Sequence, residues 1–178
     1  AELSRIPPQN LEAEKSLLGS ILLDKEAVAK IIDSVNEGDF YKNAHRDIFS
    51  TMMELYNKNE PIDVLTLSNR LTELQLLESI GGHTYLVTLS NAVPTAAHIQ
   101  QYASIIRKKA THRKLLAAAD EITALGYKEE VENIEELLDE AQKHIYAVTQ
   151  TNLKKNFVSI KNVLSNAFER IDTLHKEK

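Results

Sequence analysis

Residues 95–125 read TAAHIQQYASIIRKKATHRKLLAAADEITAL, a run of 31 positions without glycine or proline. As a single helix it would be about 46 Å long. Gly126 follows, and glycine suits the position just past a helix end. Asn133, with Glu136 three positions on, has the pattern of a capping box that opens a second helix. Ile134, Leu137, Leu138, Ala141, Ile145 and Val148 give that helix one apolar face. Two helices joined by a short polar loop predict an antiparallel helical hairpin over residues 94–150. Its arms differ in charge. Residues 101–125 hold five basic and two acidic groups, net +3, and residues 126–150 hold two basic and seven acidic groups, net −5. Exposed pairs contribute only ~0–1 kcal/mol each, so this asymmetry sets pairing and orientation more than stability, within one hairpin or between copies.

Towards the N-terminus the pattern becomes a set of shorter helices, read as a globular helical head over residues 1–93. Asn10 can cap a helix over Leu11–Leu23, with Leu11, Leu18, Ile21 and Leu22 on one face. Asp24 can cap the next, where Val28, Ile31, Ile32 and Val35 repeat at helical spacing until Gly38. Asn43 opens a third, with Ile48, Phe49, Met52, Leu55 and Tyr56 as its stripe, and Pro61 breaks the chain. Asp63 begins a fourth with Leu67, Leu71 and Leu74 inward. Gly81 and Gly82 turn the chain into a short segment, residues 83–91, before Pro94.

Towards the C-terminus, residues 149–155 are polar and read as a linker, with a flexible connection over residues 151–158. Ser159 can cap a last helix, residues 159–178. Its Ile160, Val163, Leu164, Ala167, Phe168, Ile171 and Leu174 fall at spacings of three and four. An isolated helix of this length is marginal in water. Burying each large apolar side chain stabilises by roughly 1.5–3 kcal/mol. The stripe therefore folds back on its own chain or packs on another surface, and the linker favours the second.

All of this predicts an all-α chain. Its 178 residues are 43% hydrophobic and 26% charged, which excludes a disordered or membrane-spanning class. The absence of cysteine removes disulfides, thiolate nucleophiles and most structural zinc sites. The opening residues carry no apolar signal core, which makes secretion an unfavoured reading. A formal charge of −5 argues against nucleic-acid binding by bulk electrostatics.

The search for chemistry returns little. There is no G-x-x-x-x-G-K-[ST] or G-x-G-x-x-G phosphate cradle and no G-x-S-x-G elbow. None of the six histidines forms an H-x-x-H or H-E-x-x-H pair. His45 stands beside Arg46 and Asp47, but adjacent positions point to different helix faces. The favoured reading is a first-turn histidine satisfied by local hydrogen bonds. Glu12 and Glu14 suit the positive end of their own helix. Met52, Met53 and Tyr56 read as ordinary core. The basic cluster Arg107, Lys108, Lys109, Arg113 and Lys114 interrupts the apolar stripe and covers most of the helix circumference. It reads as partner-facing. No aromatic residues interleave for base stacking, so a solvated or protein-facing girdle is favoured over nucleic acid.

A set of strings carries a resemblance. These are Pro7-Pro8-Gln9-Asn10-Leu11-Glu12-Ala13-Glu14 with Leu17-Leu18-Gly19-Ser20, then Asp39-Phe40-Tyr41 with His45-Arg46-Asp47-Ile48-Phe49. They continue with Pro61-Ile62-Asp63-Val64, Gly81-Gly82-His83-Thr84-Tyr85-Leu86 and Val93-Pro94-Thr95-Ala96-Ala97-His98-Ile99, followed by Tyr102-Ala103. In order and spacing they resemble the N-terminal domain of bacterial DnaB-type replicative DNA helicases. Phe157-Val158-Ser159-Ile160 looks like the start of that family's linker region.

The resemblance implies a collar on a hexameric ring, built by heads and hairpins. Hairpin association is expected of Ile99, Tyr102, Ile106, Leu116, Ile122, Leu138 and Ile145. The linker helix would dock on the neighbouring subunit's ATPase domain through Ile160, Val163, Leu164, Phe168 and Ile171. That RecA-like domain, with its ATP and Mg and its grip on single-stranded DNA, is expected to lie outside this sequence. No cofactor, metal or catalytic residue is expected within it. Primase and helicase loader are the expected partners, the location cytoplasmic, and no membrane is involved. Two alternatives are a primase's helicase-binding domain and a small helical nucleic-acid binder using the 107–114 cluster.

Overall fold

The computed structural model describes residues 6–128 and 133–156, and every element among them is helical. Helix α1, Leu11–Leu23, has the bounds expected. The Asn10 side chain caps it by accepting from the Ala13 amide at 2.9 Å. Its buried side is Leu17, Leu18 and Ile21, while Leu11 and Leu22 are half-buried.

The expected second α-helix is a 3₁₀ helix, Lys25–Lys30, capped by Asp24 through the Glu26 amide, followed by turns. Val28, Ile31 and Val35 still reach the core, and Ile32 is left at the surface. A second 3₁₀ turn, Glu37–Asp39, contains Gly38.

Helix α2, Asn43–Asn57, buries Ile48, Phe49, Met52 and Leu55, with Tyr56 half-buried. Phe40 stacks obliquely on Phe49, ring centroids 4.9 Å apart. Helix α3, Val64–Glu73, starts at a capping box in which Asp63 and Thr66 exchange hydrogen bonds of 2.9 and 3.1 Å. Leu67 and Leu71 are inward as expected. Leu74 is not, because the helix has ended and Gln75 turns into the left-handed region at φ +59°. Arg70 of α3 grips Glu54 of α2 with two bonds of 2.6 and 3.1 Å, and Lys58 adds a third at 2.7 Å. These donors hold the Glu54 carboxyl below the usual carboxylate range, Arg70 first.

Helix α4, Gly82–Ser90, is entered through Gly81 at φ +107° and Gly82 at φ +73°, which a side chain would strain. It lies across α1 and α3. Gly19 is where α1 and α4 come closest. A Cβ there would sit 2.4 Å from the Leu89 carbonyl oxygen and 3.2 Å from Ala92 Cβ.

Helix α5, Ile99–Gly126, is 28 residues long and begins four residues later than the uninterrupted run suggests. Thr95 instead makes a side-chain turn to the Ala97 amide. The chain divides into two compact units, Ala1–Asp120 and Glu121–Lys178. In the first, Ile99, Ala103 and Ile106 of α5 complete the core built by α1 to α4. In the second, Asn133 opens α6, Ile134–Asn156, by accepting from the Glu135 amide at 3.0 Å and donating to Glu136 at 3.2 Å. α6 continues through residues 149–155, the stretch read as a linker. That stretch is polar but holds no glycine or proline to stop a helix. The amphipathic helix expected at residues 159–178 lies outside the described residues.

Gly19→Ala should destabilise the head by about 1–3 kcal/mol, read from urea unfolding, because the new methyl meets backbone. A variant as stable as the parent chain would show that α1 and α4 do not approach so closely.

Candidate functional site

The first unit contains two buried acids, and each organises a different joint. Glu14 lies on α1 in line with Leu17, Leu18 and Ile21, and is only 2% exposed. Its carboxylate reaches the start of α2. It accepts from the Tyr41 amide at 2.6 Å, from the Lys42 amide at a longer 3.4 Å and from His45 Nδ1 at 2.5 Å. Lys42 occupies the N-cap position of α2 but makes no side-chain cap, and the first turn of α2 holds no acid. Glu14 supplies both functions from another helix, a negative charge at the positive end and an acceptor for orphan amides.

His45 is fully buried and joined to Tyr85 Oη through Nε2 at 2.7 Å, with the two rings parallel to within 4°. The local satisfaction expected for His45 is therefore wrong. Its partners come from α1 and α4, 31 and 40 residues away. Glu14 does lie in the first turn of its own helix, as the dipole reading expected, and its carboxylate reaches the start of α2 as well.

The second acid, Asp39, is 1% exposed. Its carboxylate accepts from the Asn36 amide at 3.1 Å and from Lys114 Nζ at 3.2 Å. Arg113 donates to the Asp39 carbonyl at 2.6 Å and the Pro8 carbonyl at 2.7 Å, and lies 5.6 Å over the Tyr41 ring. Burial pushes the Arg113 guanidinium below the usual arginine value, against the opposing pull of the Glu14 charge. The partner-facing role expected of Arg113 and Lys114 is thus corrected: both are spent inside their own unit. The physical reason is register. Ile99, Ala103, Ile106, Ala110 and Arg113 fall at spacings of four and three, so the two cations continue the core stripe rather than interrupt it. Lys108 is exposed, and Arg107 and Lys109 are half-buried.

The residues expected to associate hairpins divide the same way. Ile99 and Ile106 are in the core and have no surface to offer, which corrects that expectation for these two, while Tyr102 is half-buried against the core. Leu116 is 52% exposed on α5 of the first unit. In the second unit Ile122 is half-buried, whereas Leu138 and Ile145 are 62% and 47% exposed. Ile134, also 62% exposed, was not among the expected residues. At about 100° per residue, Ile134, Leu138 and Ile145 lie within about 40° of one another around α6. Their neighbours Glu135, Glu136, Asp139 and Glu140 are exposed acids. The signal was present, since the 134, 138, 145 spacing is that of a helical seam.

The described residues contain no group of three metal-ligating side chains. The Ser68 hydroxyl lies 3.0 Å from His83 Nδ1, but Ser68 is buried, and among the described hydrogen bonds no acid orients His83. The arrangement therefore lacks the third group of a hydrolytic triad. No described helix is long and apolar enough to cross a membrane.

Glu14→Ala should cost roughly 3 kcal/mol or more, because it strands His45 and two amides without an acceptor. Glu14→Gln, which keeps one carbonyl oxygen, should cost less than half of that. Denaturant midpoints decide it, and an alanine variant within about 1 kcal/mol of the parent chain would contradict this role for Glu14.

Residues 6–108 match the family model described as DnaB-like helicase N terminal domain. The chain is 40% identical over 174 residues to the replicative DNA helicase DnaC of Bacillus subtilis, covering 98% of this chain and 38% of that protein. It is 40% identical over 171 residues to the replicative DNA helicase DnaB of Geobacillus stearothermophilus, covering 96% and 37%. It thus spans less than two fifths of the length of these relatives. Among solved structures, the N-terminal domain of DnaB helicase from Mycobacterium tuberculosis superposes with a TM-score of 0.76 at 40% identity. That match covers 80% of this chain and 99% of the other. A DnaB-like replicative helicase, solved in a study of its interactions with primase, shares the fold at a TM-score of 0.64 and 22% identity, covering 92% and 35%. The order of motifs, the all-helical architecture and these matches agree: the chain belongs to the DnaB-like helicase N-terminal domain family.

Proposed function

We propose that this chain is the collar of a replicative DNA helicase, an assembly and docking module rather than a catalyst. In this reading α5 and α6 form an antiparallel hairpin over residues 94–150, and copies associate through heads and hairpins into a hexameric ring. The ATPase domain lies outside this sequence and brings the ATP, the Mg and the contact with single-stranded DNA. The ring recruits primase, is acted on by a helicase loader and works in the cytoplasm. The residues that dock a neighbouring ATPase domain are Ile160, Val163, Leu164, Phe168 and Ile171.

The observation that carries the reading is the exposed stripe Ile134, Leu138 and Ile145, left uncovered within its own unit and continuous along one helix face. Full burial of each such side chain stabilises by roughly 1.5–3 kcal/mol, a drive that a second copy can satisfy. Family membership supports it, as do relatives described as replicative DNA helicases. The primase interaction rests on the structural relative that was solved in that context. The helicase-binding domain of a primase is the weaker reading, because the family model and the relatives are helicases. Nucleic-acid binding through the 107–114 cluster is weaker too, since Arg113 and Lys114 are engaged in the head.

Leu138→Asp with Ile145→Asp should reduce the mass of the 178-residue chain in solution to that of a monomer, measured by light scattering with helicity unchanged. An unchanged assembly would reject this face as the contact. In a longer chain that includes the ATPase domain, Phe168→Asp with Ile171→Asp should abolish hexamers and leave the head folded. Intact rings in electron micrographs would reject the docking role.

A further inference from the structure

We draw no further inference here: the strongest candidate, the open groove between the end of α1 and the connection from α4 into α5, lined by Leu23, Asp24, Lys30, Pro94 and Ala97, offers one charge of each sign over an apolar floor, and nothing in the structure shows what covers it.

Discussion

The head depends on one carboxylate placed where sequence economy would not put it. Glu14 stands in the apolar stripe of α1 and is satisfied by amides at the start of α2 and by the His45 ring. A buried charge is tolerated only when its partners are complete, and here they come from three segments: the turn before α2, α2 itself and, through His45, α4. Apolar packing alone is permissive about which helix faces meet. The acid is not, since a slip of one residue on either helix would take its donors out of reach. Asp39 repeats the device at the next joint, fixing α5 through Lys114 and, with its carbonyl, Arg113. Hydrophobic burial supplies most of the stability, and two acids select the arrangement.

Helix starts were legible because their signals are local. Asn10, Asp24, Asp63 and Asn133 cap their own helices within two or three residues, and sequence spacing reports that directly. The features that escaped are those decided by partners far along the chain. Nothing near His45 shows that residue 14 will reach it. The one local hint was an acid in an apolar stripe. Arg113 and Lys114 read as a girdle because a run of charge resembles a solvated surface, although their register continues that of Ile106 and Ala110. Leu74 fits the core stripe by spacing alone, because periodicity does not report where a helix stops. The end of α6 is hidden for the opposite reason: polar composition suggests a linker where nothing breaks the helix.

The two units treat apolar surface differently, and this separates folding from assembly. In the first, one contiguous core gathers most of the large side chains of α1 to α4 and the first turns of α5, with Leu23, Leu65, Val87 and Ile105 left at the surface. In the second, Ile134, Leu138, Ile145 and Tyr146 remain largely at the surface among acidic neighbours. An exposed apolar seam on a charged helix is the surface on which the proposed association relies, with charges to steer an encounter and apolar burial to hold it.

Native-state hydrogen exchange at the backbone amides of Tyr41 and Lys42 tests the central claim most directly. If the Glu14 carboxylate organises the head, these two amides, though in a short connection, will open only with the unfolding of the whole unit. They will then exchange as slowly as the core of α2. Exchange at the rate of a solvated loop, with the α2 core still protected, would show that the carboxylate is a passenger in a fold held by other contacts.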